Sequence, residues 1–259
     1  MKQSLGFLGV GHLAGYLIAG LRRAGFVGDL WLSPRSAERA ARLAQQHDCR
    51  VAVSNQALVS AVETVILTVR PSQVDEALTG LSFSQRQLVI SACAGVCLDR
   101  LEPLCAPARV SRAMPISAAA VGASPSLLYP YNDRAADLLG LWGSVIALES
   151  EASFETASVN AAAYAWFFAL FDSLVQVNEA AGLETGTARR LVLETASAAA
   201  QMAEAQSDQS VAQILESLAT KGGISAQGLA IIEAEKGLTA WQDAFRAVHQ
   251  RLQKDPSRA

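Results

Sequence analysis

Leu5-Gly-Phe-Leu-Gly-Val-Gly-His-Leu-Ala14 is the stretch on which the fold turns. A short apolar run, Leu5 to Leu8, ends in glycines, and Leu13 to Leu21 then follows with helical periodicity. Gly9-Val-Gly-His-Leu-Ala14 fits the pattern G-x-G-x-x-A between a strand and a helix. The first glycine permits a tight turn, and the second lets backbone approach a pyrophosphate. A small residue at the last position lets helix and strand pack closely, while the helix N-terminus attracts phosphate. Glycine-rich turns are common, so the weight of the pattern comes from its place inside a βαβ arrangement.

Outward from this turn the same alternation continues. Asp29–Ser33 reads as a second strand and Ala37–His47 as an Ala/Arg/Glu-rich helix. Val51–Val53, Val65–Val69, Leu88–Ser91, Arg109–Arg112 and Ser144–Leu148 read as further strands. Continuous apolar runs separated by helical stretches are what a parallel sheet buried on both faces requires. After Leu148 the texture changes. Ser150-Glu-Ala-Ser153 suits a helix N-terminus, and from there to Arg251 Ala, Leu, Glu and Gln recur at helical spacing, with breaks near Gly182, Ser207-Asp208, Gly222-Gly223 and Gly237. The expected fold is α/β: a doubly wound dinucleotide-binding domain over residues 1–149, then an all-α substrate and dimerisation domain over 150–259.

The end of the second strand bears on which dinucleotide is held. A carboxylate there would suit the ribose hydroxyl of NAD(H). The segment is instead Leu32-Ser33-Pro34-Arg35-Ser36, whose guanidinium and two hydroxyls suit a 2′-phosphate. NADP(H) is therefore the expected cofactor, with NAD(H) left open.

Composition excludes several other classes. A formal charge of −3 gives no broad attraction to nucleic acid or an anionic membrane. Lys2 precedes an apolar stretch, but glycines interrupt that stretch and Arg22-Arg23 follows it, which does not read as a signal peptide. The longest strictly apolar run, Ala161–Phe171, is short for a bilayer span. A cytoplasmic location is the simplest expectation. Of Cys49, Cys93, Cys97 and Cys105, Cys93 and Cys97 are close in sequence, but no second ligand pair or nearby histidine completes a metal site there, and His12, His47 and His249 are scattered.

Gly6-Phe-Leu-Gly-Val-Gly-His-Leu-Ala14, Thr68-Val-Arg-Pro-Ser-Gln73, Ser91-Ala-Cys-Ala-Gly-Val96 and Arg112-Ala-Met-Pro115 together resemble the pyrroline-5-carboxylate reductases. That family's corresponding stretches read like GFIGAGNMA, AVKPQ, SIAAGV and RAMPN. The likeness runs on through Tyr164, Asn178-Glu-Ala-Ala-Gly-Leu183 and Gly222-Gly-Ile-Ser-Ala-Gln-Gly-Leu229, so it covers essentially the whole chain. Members of the family reduce the cyclic imine of 1-pyrroline-5-carboxylate to proline with NAD(P)H, and pair through the helical domain as dimers that often assemble further. The resemblance implies a cofactor along Gly9, Gly11, His12 and Leu13, with Ser33, Arg35 and Ser36 at the adenosine end and Asn55 near the adenine ribose. Val69, Arg70, Pro71, Ala92 and Cys93 would line the path to the nicotinamide. It also implies a homodimer or higher homo-oligomer acting on a small cyclic imine.

The substrate end departs from the family pattern. SGSGPAY stands here as Ser158-Val-Asn-Ala-Ala-Ala-Tyr164, TSPGGTT as Ala219-Thr-Lys-Gly-Gly-Ile-Ser225, and the MPN asparagine as Ile116. Thr220 and Ser225 retain hydroxyls that resemble the family's substrate-binding groups and are the implied catalytic residues. Gly222 and Gly223 can expose backbone N–H groups to a carboxylate, and Lys221 adds a charge. Asn160 and Tyr164, one helical turn apart, are further candidates for the pocket. Two other readings stay open. A β-hydroxyacid dehydrogenase shares the layout but uses a lysine early in its second domain, and this chain has none between Lys2 and Lys221. A non-catalytic cofactor-binding homologue, acting as sensor or scaffold, fits the departures at Ile116, Val159 and Lys221.

Overall fold

A computed structural model of the chain describes residues 4–254; Lys2 lies outside them. Strand β1 (Leu5–Leu8) leads into α1 (His12–Arg23), β2 (Leu30–Leu32), α2 (Ala37–His47), β3 (Arg50–Val51) and α3 (Asn55–Ala61). β4 (Thr64–Leu67) is followed by a 3-10 turn, Pro71–Gln73, and by α4 (Val74–Leu78), then β5 (Leu88–Ser91), α5 (Leu98–Cys105) and β6 (Arg109–Met114). A second 3-10 turn, Ser117–Val121, precedes β7 (Ser126–Tyr129), α6 (Asp133–Gly140) and β8 (Val145–Ala147).

The eight strands form one sheet in the order β3-β2-β1-β4-β5-β6-β7-β8. All neighbouring pairs are parallel except β6 with β7. The chain winds outward from β1 to β3 and then returns to lay β4 on the other side of β1. That reversal opens a crevice at the C-terminal ends of β1 and β4, where ligands bind in such folds. The continuous apolar strands feed both faces. Leu5, Phe7, Ile66 and Ile90 join a core with Leu17 and Ile18 of α1, Leu43 of α2 and Leu138 and Trp142 around α6. Leu8, Val65, Leu67 and Val89 join a second core with Leu58 and Val59 of α3, Leu78 of α4 and Leu101 of α5. Ala14 is fully buried in the first core, as close packing of α1 on β1 demands.

Strand ends shift by a residue or two from the sequence reading. Val69 has left the sheet, β3 is shorter, and β6 extends to Met114. β7 was not foreseen, because Pro125 and Pro130 bracket a four-residue run too short to signal a strand.

Five helices follow among the described residues: α7 (Glu151–Ala180), α8 (Thr185–Ala205), α9 (Val211–Leu218), α10 (Ile224–Ala234) and α11 (Gly237–Lys254). Their breaks fall where glycines and short polar stretches place them in sequence. Ser150 Oγ accepts from the Ser153 N–H at 3.1 Å, opening α7. Ser210 and Gln213 form a reciprocal capping box on α9. Among the described residues the chain divides into two compact units within α7: one runs to Ala161 and takes back the chain from His249, the other is Ala162–Val248. The apolar run 161–171 belongs to a 30-residue helix that is long and apolar enough, by length and composition alone, to cross a membrane. The shortness of the run is therefore no argument against one. Phe167, Phe168, Leu170, Leu174 and Val177 stand exposed on that helix in the single chain.

Candidate active site

Gly9 follows β1 with φ +102°, in the left-handed region that favours glycine. A Cβ there would lie 2.7 Å from Val69 Cγ1 and 2.8 Å from the Val69 nitrogen, so the turn is closed to larger residues. Its N–H donates to Ser33 Oγ at 3.0 Å, and Thr68 Oγ1 donates to its carbonyl at 2.6 Å. The ends of β2 and β4 thus hold the turn from either side. α1 begins at His12 after Gly11, with no side chain capping its first-turn N–H groups. Those donors have no intrahelical acceptor, and together with the helix dipole they favour an anion.

A cleft of ≈ 710 Å³ opens over this turn. Every residue expected at the cofactor lines it except Pro71 and Cys93. Pro71 opens the 3-10 turn that follows Arg70. Cys93 is buried behind the wall, its thiol donating to the Val69 carbonyl at 3.3 Å. Burial pushes that thiol up to about 11, outweighing the opposing effects of its hydrogen bonds with Ser91 and Val69 and of the Arg112 and Arg100 charges. It braces the Val69 segment as a neutral group and does not itself reach the cleft.

The adenosine end is also more differentiated than the sequence suggests. Ser33 is buried and engaged with Gly9, so it serves the turn. Arg35 is exposed and pairs with Glu76 of α4 at 2.9 Å. Ser36 precedes α2 with no side-chain capping bond. Asn55 opens α3, its amide donating to the Ala77 carbonyl at 3.5 Å. Arg39, Thr68, Gln73 and Glu76 line the cleft without having been singled out in the sequence. Arg39 follows Ser36 by one helical turn, a spacing that would have revealed it. Glu76 comes from a distant segment and gave no local signal. Arg35, Arg39 and Arg70 make the lining cationic, as a dinucleotide with a third phosphate requires.

The second set of predicted residues lies in the helical part. Between α9 and α10, Gly222 takes φ +82° and Gly223 donates its N–H to the Thr220 carbonyl at 2.9 Å. This corrects the expectation that Gly223 offers that N–H to a ligand. Gly223 is instead the N-cap of α10, whose first helical bond is Gln227 N–H to Gly223 O. The N–H groups of Ile224, Ser225 and Ala226 consequently have no acceptor within the helix. Thr220, Lys221, Gly222 and Ser225 are exposed around this corner. Asn160 is exposed and donates to the Ala157 carbonyl of its own helix at 2.9 Å. Tyr164 is half-buried, edge-on to Phe168 at 5.2 Å.

One cluster escaped the sequence reading of function altogether. Arg112 of β6 is 1% exposed, with Nη1 2.7 Å from both Glu151 Oε1 and Glu155 Oε1. Its guanidinium lies 4.6 Å from the Phe154 ring centre. Glu151 also accepts from the Leu98 N–H at 2.8 Å. The arginine therefore fastens the first turns of α7 to the sheet one strand from Ser91 and Ala92. An arginine inside an apolar strand and two glutamates at i, i+4 were the available signals.

A glycine turn at the switch point of a mostly parallel sheet, a cationic cleft and a following helical domain define an NADP-linked oxidoreductase. Residues 4–95 match the family described as NADP oxidoreductase coenzyme F420-dependent, and residues 151–255 match pyrroline-5-carboxylate reductase dimerisation. The pyrroline-5-carboxylate reductase of Pasteurella multocida is 30% identical, the match covering 97% of each chain. That of Pseudomonas aeruginosa is 29% identical over 95% of this chain and 94% of its own. The solved 1-pyrroline-5-carboxylate reductase of Streptococcus pyogenes superposes with a TM-score of 0.86 at 26% identity, covering 96% of this chain and 97% of its own. The chain belongs to the pyrroline-5-carboxylate reductase family, and its helical segment is that family's dimerisation domain.

Proposed function

We propose that the protein reduces 1-pyrroline-5-carboxylate, or a closely related cyclic imine carboxylate, to the secondary amine with NADPH. The observation that carries this reading is the cationic cleft over the Gly9 turn in a chain of this family. Residues 1–149 act as the nucleotide domain and 150–259 as the substrate and dimerisation domain, acting as a cytoplasmic homo-oligomer. The exposed apolar side of α7 is read as covered by a second copy rather than by lipid.

In this reading Gly9, Gly11, His12 and Leu13 receive the pyrophosphate, and Arg35 with Ser36 receives the 2′-phosphate. Ser33 keeps the turn in shape, and Asn55 borders the adenine ribose. Val69, Arg70 and Ala92 flank the nicotinamide side, with Pro71 and Cys93 shaping that wall from behind. NADPH, when bound, supplies the hydride. The chain's own task is to hold the imine carbon in line and to exclude water. A substrate arriving as the iminium becomes a neutral amine on reduction, so no group need protonate it at that step. The Ser225 hydroxyl hydrogen-bonds the ring nitrogen. The first-turn N–H groups of α10 receive the substrate carboxylate, with Thr220 and Lys221 beside them and Gly222-Gly223 setting the corner. Asn160 and Tyr164 border the ring.

Cofactor oxidation assayed against pyrroline-5-carboxylate, pyrroline-2-carboxylate, their six-membered analogues and unsubstituted pyrroline tests this reading. Turnover confined to imines with a carboxylate is expected. Ile116, Val159 and Lys221 in place of the family's residues favour one rival, a cofactor-binding homologue without catalysis. NADPH binding with no turnover on any imine in the panel would establish that rival.

A further inference from the structure

The cleft contains one carboxylate among its described lining residues, and that carboxylate is held against the arginine expected to choose the cofactor. Glu76 lies 41 residues from Arg35 in sequence, yet its Oε2 accepts from Arg35 Nη1 at 2.9 Å. The side chains are 60% and 64% exposed, so the pair contributes little to folding stability. The preceding acid, Asp75, is committed elsewhere. Its two carboxylate oxygens accept from Arg100 Nε at 3.1 Å and Nη2 at 2.7 Å, which holds its carboxyl below the usual range. Of the two adjacent acids on α4, Glu76 alone lines the cleft.

We propose that Glu76 is a specificity-determining residue for the nucleotide, competing with a 2′-phosphate for Arg35. The inference rests on the cofactor reading given above. A 2′-phosphate seated on Arg35 must displace the carboxylate and then lie near a like charge. A ribose that ends in a hydroxyl has no such quarrel: the pair stays intact, and the carboxylate remains available as a hydroxyl acceptor. In dinucleotide folds the acid that favours NAD(H) stands at the end of the second strand. Here that position carries Arg35, and the acid arrives from α4 on the facing wall. Arg39 lines the same cleft as a second cation for the phosphate. Glu76 thus narrows the preference for NADPH that Arg35 creates.

Dissociation constants of the intact protein for NADPH and NADH, and for the fragments 2′,5′-ADP and 5′-AMP, test this by calorimetric titration. The fragments differ by the 2′-phosphate alone. Glu76→Gln is expected to tighten NADPH and 2′,5′-ADP by roughly three- to tenfold, since one like charge has been removed from a partly screened site. NADH and 5′-AMP should be unchanged or slightly weaker. The gain should shrink as salt is raised and be smaller in an Arg35→Ala background, where no cation is released. An unchanged NADPH-to-NADH ratio in Glu76→Gln, with both nucleotides binding the unmodified protein, would overturn the proposal and leave the cofactor reading standing. Failure of the unmodified protein to bind either dinucleotide would overturn both.

Discussion

Arg35 and Ser225 are single groups on which the two halves of the proposed site depend. Arg35→Ala should weaken NADPH by about 1–3 kcal/mol through loss of charge-assisted bonds, and NADH much less. Equal losses for both nucleotides in a binding titration would remove Arg35 from the 2′-phosphate. Ser225→Ala should lower turnover roughly ten- to a thousandfold, the range for losing one positioned polar contact in a reacting complex. Thr220→Val keeps shape but loses a donor, so it should chiefly raise the Michaelis constant for carboxylate-bearing imines. Steady-state kinetics on both variants checks this, and unaltered parameters in both would move the substrate site away from the loop. At this scale the sequence was most legible where backbone geometry leaves no choice. Gly9, Gly11 and Ala14 announce themselves because a positive φ, an open approach and close helix packing each admit few residue types. The buried bond of Ser33 to Gly9 was not legible, because it depends on a neighbouring strand that local sequence does not display.

At the scale of elements, the Arg112 cluster joins β6 to α7 through two buried charges and one partly exposed carboxylate. Removing the cation leaves Glu155, 6% exposed, beside Glu151 without their shared partner. Arg112→Ala should therefore cost about 3–5 kcal/mol of stability, as for other broken buried pairs, measured by denaturant unfolding. The double change Arg112→Met with Glu155→Leu should recover much of that loss, since an apolar replacement leaves a single, partly exposed carboxylate. A loss below about 1 kcal/mol for Arg112→Ala would show that the cluster is well hydrated. The helical breaks were legible because Gly182, Gly222 and Gly237 interrupt an otherwise uniform periodicity. β7 was not, since a four-residue strand between prolines draws its stability from pairing with β6 and β8. The corner before α10 was read as two free glycine N–H groups. A local turn instead closes the Gly223 N–H onto Thr220, and the proposed carboxylate donors are the first-turn N–H groups of α10.

For the whole molecule, the contrast between the two parts is one of burial. The sheet carries two continuous cores. Phe168 at 55% and Val177 at 63% exposure show how much apolar surface the long helix leaves uncovered in one chain. Surface of that kind suits an interface, and residues 151–255 match the family's dimerisation domain, so another copy is the occupant proposed for it. Sedimentation at micromolar concentration should find a dimer or larger assembly with no appreciable monomer. A stable monomer would contradict that assignment.

The central claim, hydride transfer from NADPH to the imine carbon of a carboxylate-bearing ring, is tested most directly by isotope transfer. The purified protein is incubated with 1-pyrroline-5-carboxylate and NADPH carrying deuterium at either face of nicotinamide C4, and the product is examined by mass spectrometry and NMR. Proline is expected to carry a single deuterium on the ring carbon next to nitrogen that does not bear the carboxylate, from one labelled face only, in one-to-one proportion to NADPH consumed. NADPH bound but not consumed, or proline formed without that label, would contradict it.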